Sequence, residues 1–247
     1  MNQGESEAWR ELGTPRGGGI LLIADHASNH VPDDIDLGID PALLTNHIAI
    51  DIGVAEVAAL LVADGAVDAA ILGGVSRLVV DCNRDEEAPG VLPIASDGHA
   101  VPGNALDDAG REARLARFFR PYHDHIAATI AAHRPAMILS LHSFTPALSA
   151  HPDQARPWHV GVLYNEDDRL AGAAIAALEA EGLNVGDQLP YSGKLLNATM
   201  NRHAEGNAIP YVGIEMRQDL VSDAAGQALF AQRLSRMCSK LALYPGE

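Results

Sequence analysis

The chain has 247 residues, of which 47% are hydrophobic and 20% are charged, so it carries enough apolar sequence to bury a core. Its 33 Asp and Glu residues outnumber its 17 Lys and Arg residues, and the formal net charge is -16. A field of this sign repels phosphate backbones and anionic bilayers, which argues against nucleic acid and membranes as partners. An anionic substrate would need a local cluster of cations to bind it.

The cysteines and the N-terminal residues indicate the cellular compartment in which the protein is expected. The two cysteines, Cys82 and Cys238, are far apart and form no Cys-x-x-Cys pattern, so neither a disulfide framework nor a thiolate metal site is predicted. The first ten residues are polar and acidic, unlike a signal peptide, and no apolar run approaches the ~18 residues that span a membrane. We therefore expect a cytoplasmic protein and leave its oligomeric state open.

In chain order, a polar leader over residues 1–18 precedes what we expect to be one α/β domain. Short apolar runs predict strands at 20–24, 69–72, 78–80, 136–141, 160–164 and 211–214. Helical periodicity predicts helices at 54–62, 107–133, 167–181 and 223–241. This alternation predicts a mostly parallel central sheet with helices on both faces. The Gly- and Pro-rich residues 88–103 predict a long loop near the site.

Polar residues follow the predicted strands, and ligands bind beyond the carboxyl ends of the strands in open α/β sheets. The residues at these ends that can do chemistry are His26, Asn83, Arg84, His142, Glu215 and Arg217. Two imidazoles, a carboxylate and a guanidinium at one edge are what a catalytic zinc site with a clamp for a charged substrate requires.

His26 and His142 are the first choice as metal ligands. Neutral imidazole is a common zinc donor, and each residue follows an apolar run that predicts a rigid strand. Other histidines are expected to be structural or to lie at the surface, among them His133 and His151.

Four motifs resemble the N-formylglutamate amidohydrolase family in their order and spacing. They are DHASNHVP at 25–32, HIAIDIG at 47–53, SRLVVDCNR at 76–84 and SLHSFTP at 140–146. The resemblance covers nearly the whole chain. It implies hydrolysis of N-formylglutamate or a related small-molecule N-acyl amino acid, with one Zn²⁺ or another divalent metal ion per chain. It also implies a zinc-exopeptidase-like fold of the phosphorylase/hydrolase-like kind, shared with zinc carboxypeptidases and aspartoacylases.

The wider zinc carboxypeptidase superfamily suggests roles for these residues. By this resemblance His26 and His142 are ligands, Asn83 and Arg84 bind the substrate carboxylate, and Glu215 of a Glu-x-Arg pattern is the general base. The remaining ligand is open between two residues. Asn29 has the superfamily position, whereas Asp51 has the charge that a dication favours. Asp51 could instead cap the helix predicted to begin near Gly53.

Further assignments leave alternatives open. Arg217 would stabilise an oxyanion or a second substrate carboxylate, or else form a surface ion pair. Ser143, Tyr191 and Arg202 are additional candidates for substrate binding, the last two in a polar stretch suited to a loop that closes over substrate. Two rival functions remain: another deacylase or carboxypeptidase of the same superfamily, and a catalytically inactive small-ligand-binding protein of the same fold.

Overall fold

The structure is a computed structural model that describes residues 6–149 and 152–243. His151 and the first five residues of the predicted leader lie outside these ranges. The strands within the described ranges are β1 (Trp9–Gly13), β2 (Ile20–Ala24), β3 (Ala69–Gly73), β4 (Ala95–Ser96), β5 (His99–Ala100), β6 (Met137–Phe144), β7 (Val160–Leu163), β8 (Val185–Asp187) and β9 (Tyr211–Arg217).

Seven of these strands form one sheet in the order β1-β3-β2-β6-β9-β7-β8. Neighbours from β3 through β2 and β6 to β9 are parallel, as are β7 and β8, whereas β1 on β3 and β7 on β9 are antiparallel. The prediction of a mostly parallel central sheet is therefore confirmed. Strands β4 and β5 form a separate hairpin.

Helices cover both faces of the sheet. They are α1 (Val54–Ala63), α2 (Asp108–Arg114), α3 (Arg120–His133), α4 (Ala171–Glu179), α5 (Ala198–His203) and α6 (Ala224–Leu241). Helices α1, α4 and α6 pack into one apolar cluster, and α3 packs into another. In the described part of the chain, no helix has both the length and the apolar character needed to cross a bilayer.

The burial of the central strand β2 on both faces explains why its sequence is continuously apolar. Leu22 and Ala24 belong to the cluster with α1 and α6, whereas Leu21 and Ile23 belong to the cluster with α3. Because successive side chains of a strand point to opposite faces, a strand that is buried on both faces has no polar positions. Full burial of each leucine or isoleucine side chain of this strand stabilises the fold by about 1.5–3 kcal/mol.

Four predicted segments differ from the structure. Trp9–Gly13, inside the predicted leader, is an edge strand that pairs with β3. Residues 78–80 are buried but form a turn, because Ser76 accepts the backbone N–H groups of Val79 and Val80 through its carbonyl. Residues 88–103 contain the β4–β5 hairpin. The predicted helix at 107–133 is interrupted by a π-helical turn over Leu115–Phe119.

Candidate active site

Three neighbouring central strands bring the predicted imidazoles and carboxylate to one edge of the sheet. His26 follows β2, and His142 and Glu215 lie opposite each other in the parallel pairing of β6 with β9. Asp51 arrives from the segment before α1, where its backbone N–H donates to the His26 carbonyl at 3.0 Å. Gly53, with φ of 81°, then turns the chain into α1. Asp51 is not the helix cap, so its carboxylate is available to the site.

The Asp51 carboxylate lies between the two imidazoles. Its Oδ2 is 2.8 Å from Nδ1 of His142 and 3.4 Å from Nδ1 of His26. It also accepts the backbone N–H of Ser143 at 3.3 Å. One ligand atom from each of His26, Asp51 and His142 lies within 4.8 Å of the others, and all three residues are buried. This spacing and these donor types could hold a metal ion.

A second carboxylate faces the far nitrogen of each imidazole. Asp81 Oδ1 lies 2.7 Å from Nε2 of His26. Asp25 Oδ2 lies 3.3 Å from Nε2 of His142, without hydrogen-bond geometry. Tyr122 of α3 and Thr199 of α5 each donate a hydroxyl hydrogen bond to Asp25 Oδ1, at 2.9 and 2.8 Å. Each imidazole therefore turns Nε2 towards a carboxylate and Nδ1 towards Asp51.

Two arginines stand beside these carboxylates in different ways. Arg77 donates from Nη1 to Asp51 Oδ1 at 3.0 Å and from Nη2 to Asp81 Oδ2 at 3.2 Å. Arg84 approaches Asp81 Oδ2 with Nε at 3.7 Å, which is too long for a hydrogen bond. The guanidinium of Arg77 is thus committed to two carboxylates, and that of Arg84 is not.

The buried charges shift one another's pKa values. Burial alone would raise the pKa of Asp51, but His26, His142 and Arg77 hold it well below its ordinary value. Burial alone would lower the pKa of His142, but Asp25 and Asp51 raise it well above its ordinary value. Burial, with Asp51 nearby, raises the pKa of Glu215 to about 7. The carboxylates around the imidazoles therefore favour positive charge at this point.

A cavity of about 370 Å³ opens onto this cluster. The predicted substrate-binding residues Asn83, Arg84, Ser143 and Tyr191 line it beside Glu215. Their neighbours hold several of them in place: Asn83 Oδ1 accepts the Thr199 N–H at 3.1 Å, Ser143 donates to the Ile52 carbonyl at 2.9 Å, and the Tyr191 hydroxyl accepts from Arg156 at 2.8 Å.

Three predicted site residues do not line this cavity. Asn29 is exposed and borders a separate pocket with Glu7 and His30, because the chain turns away from the sheet edge after His26. Arg202 is exposed on α5. Arg217 ends β9 and pairs with Asp219 at 2.8 Å, as its surface alternative predicts. All three therefore lie outside the lining of the cavity that contains His26, Asp51 and His142.

Sequence reasoning missed the part that Arg77 and the carboxylates Asp25 and Asp81 play. A usable signal was the i, i+4 spacing of Arg77 and Asp81 around a buried apolar run, in a chain where arginine is scarce relative to acid. His47 and Asp97 were also missed. Both line the cavity, and His47 Nε2 lies 3.0 Å from Asp97 Oδ2 at the turn of the β4–β5 hairpin.

The mixed, mostly parallel sheet and the helices on its two faces define an α/β fold with a polar cluster at the carboxyl edge of its central strands. The N-formylglutamate amidohydrolase family model matches residues 18–222, and the chain belongs to this family. It is therefore an amidohydrolase that acts on a small-molecule substrate.

Solved structures agree with this membership. The crystal structure of gene product Atu2144 from Agrobacterium tumefaciens is 32% identical, with a TM-score of 0.88 over 96% of this chain and 95% of that one. N-formylglutamate amidohydrolase from Ralstonia eutropha JMP134 is 18% identical, with a TM-score of 0.70 over 96% of this chain and 97% of that one. The latter likeness shows a shared fold. No curated protein has a significantly matching sequence.

Proposed function

We propose that this chain is a zinc-dependent amidohydrolase that cleaves the acyl amide bond of N-formylglutamate or a related N-acyl amino acid. The observation that carries the proposal is the convergence of His26, Asp51 and His142, with Nδ1 of both rings directed at one Asp51 oxygen. We also propose that it works in a reducing compartment such as the cytoplasm, because Cys82 and Cys238 are both unpaired and buried.

The donor set fits a catalytic zinc ion. Two imidazoles and one carboxylate are a known catalytic combination, and three protein ligands leave a position open. Ligating imidazoles commonly donate the other ring N–H to a carboxylate, which is the relation of His26 to Asp81. Asp25 lies 3.3 Å from the corresponding nitrogen of His142, close to that arrangement. His26 and His142 would hold the ion through Nδ1, and Asp51 through Oδ2. Another divalent ion with affinity for imidazole could take the same place.

A bound zinc ion supplies Lewis acidity, which polarises a carbonyl and acidifies water. The substrate must be oriented in the cavity by the chain's own side chains. Within the described residues, the Arg84 guanidinium makes no hydrogen bond, so it can donate two N–H groups to one substrate carboxylate. Arg84 thereby overcomes locally the repulsion that the net charge of -16 exerts on an anion.

Glu215 is the group proposed to move protons. Its Oε2 is buried and has no hydrogen-bond partner among the described residues, and its carboxyl lines the cavity beside His142. Through the carboxylate that lines the cavity, Glu215 would take a proton from the attacking water and return it to the leaving amine nitrogen. In the metal-free protein, burial raises the pKa of Glu215 to about 7, and a bound cation would lower it towards the ionised form that accepts a proton from water.

Metal analysis and a substrate panel test the proposal together. We expect one zinc per chain and hydrolysis of N-formyl amino acids that stops on chelation and returns with zinc. The panel compares N-formyl with N-acetyl groups on Glu, Asp, Gln and Leu. Preference for N-acetyl substrates or dipeptides would indicate another deacylase or carboxypeptidase. Stoichiometric zinc without turnover of any substrate would indicate a binding protein, and full activity without metal would refute the zinc assignment.

A further inference from the structure

Arg77 is a partly buried cation between two carboxylates that have different partners. It holds Asp51 by Oδ1, and Asp51 Oδ2 is left facing Nδ1 of both imidazoles. It holds Asp81 by Oδ2, and Asp81 Oδ1 is left facing Nε2 of His26. The side chain of Arg77 is 25% exposed, whereas those of Asp51 and Asp81 are 3% and 6% exposed.

We propose that Arg77 is a positioning residue for the metal donors, an inference that rests on the proposed zinc function. By occupying Asp51 Oδ1, Arg77 leaves Oδ2 as the single donor oxygen and fixes the direction in which it points. By occupying Asp81 Oδ2, it turns the other oxygen onto His26 and so fixes the orientation of that ring. One guanidinium thus aligns two of the three donors.

The planar fork of arginine suits this task. Its Nη1 and Nη2 donate to two different carboxylates at once, and a lysine ammonium, which is a point charge on a flexible stem, cannot reproduce that fork. Arg77 also lines the cavity, so a direct role as substrate clamp is the competing explanation. Arg84 provides the comparison, because it lines the same cavity and adjoins Asp81 without a hydrogen bond.

Electrostatics and positioning predict opposite signs for the loss of Arg77. As a cation beside a cation site, Arg77 repels the ion, so its removal by Coulomb's law alone should tighten zinc binding. As an aligner of Asp51 and Asp81, it prepares the donors, so its removal should weaken zinc binding, typically by about 10- to 100-fold for a residue behind the ligands. The direction of the change therefore separates the two effects.

The experiment measures the zinc dissociation constant of metal-stripped protein by competition with a chromophoric chelator. The variants are Arg77→Met, which removes the charge and the hydrogen bonds, and Arg77→Lys, which keeps the charge and loses the fork. Arg84→Met is the matched control, since it removes the same charge from the same cavity. We expect both Arg77 variants to bind zinc about 10- to 100-fold more weakly. The Arg84→Met variant should bind zinc as tightly as the unmodified protein, or more tightly.

Kinetics at saturating zinc provide the second measurement. If Arg77 aligns the donors, excess zinc should restore much of the lost turnover, and KM should change far less than in Arg84→Met. A raised KM with an unchanged zinc dissociation constant would overturn the proposal and make Arg77 a substrate clamp. Zinc binding by Arg77→Met at unmodified or greater strength would overturn it as well.

Two checks keep the result interpretable. Circular dichroism and the melting temperature establish that each variant folds, and if Arg77→Met does not fold, Arg77→Lys decides the question. If the unmodified protein binds no zinc, the proposed function fails together with the role of Arg77. If it binds zinc and the Arg77 variants bind it equally well, only the role of Arg77 fails.

Discussion

Glu215→Gln tests the proposed proton-transferring carboxyl through stability as well as through turnover. The substitution keeps the shape of the side chain and removes its ability to ionise. In the structure, burial raises the pKa of Glu215 to about 7 from an ordinary value of 4.5. Because each pKa unit corresponds to ~1.4 kcal/mol, ionised Glu215 costs the folded, metal-free protein ~3 kcal/mol above pH 7.

The direction in which stability changes with pH follows from the protons that the folded and unfolded states bind. Between pH 4.5 and about 7 the folded protein keeps the Glu215 proton that the unfolded chain has lost. The contribution of this carboxyl to stability is therefore full below pH 4.5 and is lost as the pH rises through 7. Gln at this position does not titrate. The unfolding free energy of the Glu215→Gln variant, relative to that of the unmodified protein, should therefore be ~2–3 kcal/mol more favourable at pH 8 than at pH 5.

Urea unfolding of chelator-treated protein at pH 5, 6, 7 and 8 measures this gain directly. Glu166→Gln, at an exposed position, controls for the change from Glu to Gln itself. Adding zinc should shrink the pH-dependent gain, because a nearby cation favours the ionised carboxylate. A difference that stays constant from pH 5 to pH 8 would refute the argument that burial perturbs Glu215.

Turnover provides the second part of this test. With zinc bound, Glu215→Gln should lower kcat by roughly two to four orders of magnitude, the usual contribution of a positioned acid or base. Zinc content and KM should change little, because proton transfer acts mainly in the transition state. Near-normal kcat in a zinc-loaded variant would remove Glu215 from the proton-transfer role.

Three further predictions concern the rest of the site and its scaffold. Arg84→Ala should raise KM strongly for a substrate with a free carboxylate and much less for its amide, since only the former loses a charge-assisted pair; equal effects in steady-state assays would contradict a clamp. Asp25→Asn should weaken zinc binding about 10- to 100-fold in chelator competition. An amide can donate to Nε2 of His142 and so place the ring proton on Nδ1, the nitrogen proposed to bind zinc. An unchanged zinc dissociation constant would contradict this role of Asp25. Gly53→Ala should destabilise by more than about 2 kcal/mol in urea, since φ is 81° and a Cβ would overlap the Val221 carbonyl. Gly182→Ala, at φ of 76° with open space around it, should cost less, and equal losses would exclude the overlap as a cause.

Local sequence determined most of the sheet and the framework of helices. The buried run at β2 and its counterparts at β3, β6, β7 and β9 could be identified because a strand covered on both faces must be apolar along its length. The same local pattern indicated that His26 would follow β2 and that His142 and Glu215 would follow the apolar runs at 136–141 and 211–214. In the structure both strands are longer, and β6 and β9 include these two residues. Because β2, β6 and β9 pair in parallel, their carboxyl ends meet at one edge of the sheet.

Tertiary structure decided which other residues joined them. Residues 78–80 have the composition of a buried strand, yet their backbone groups are satisfied by a turn at Ser76, and burial alone does not reveal this. Asn29 and Asp51 are both polar residues after apolar segments. Only the folded chain shows that Asn29 faces solvent while Asp51 reaches the imidazoles.

The hydrogen bond from Arg77 to Asp51 is likewise invisible in the local sequence. The contacts of Arg77 with Asp51 join residues that are 26 apart in the chain, and those of Asp25 with Thr199 join residues that are 174 apart. Periodicity reports which face of an element is buried, because that property repeats along the chain. The partner of a buried charge is set by where distant segments meet. The sequence therefore determined the strands and the kind of chemistry at their ends, and the fold determined which carboxylate, imidazole and guanidinium contact one another.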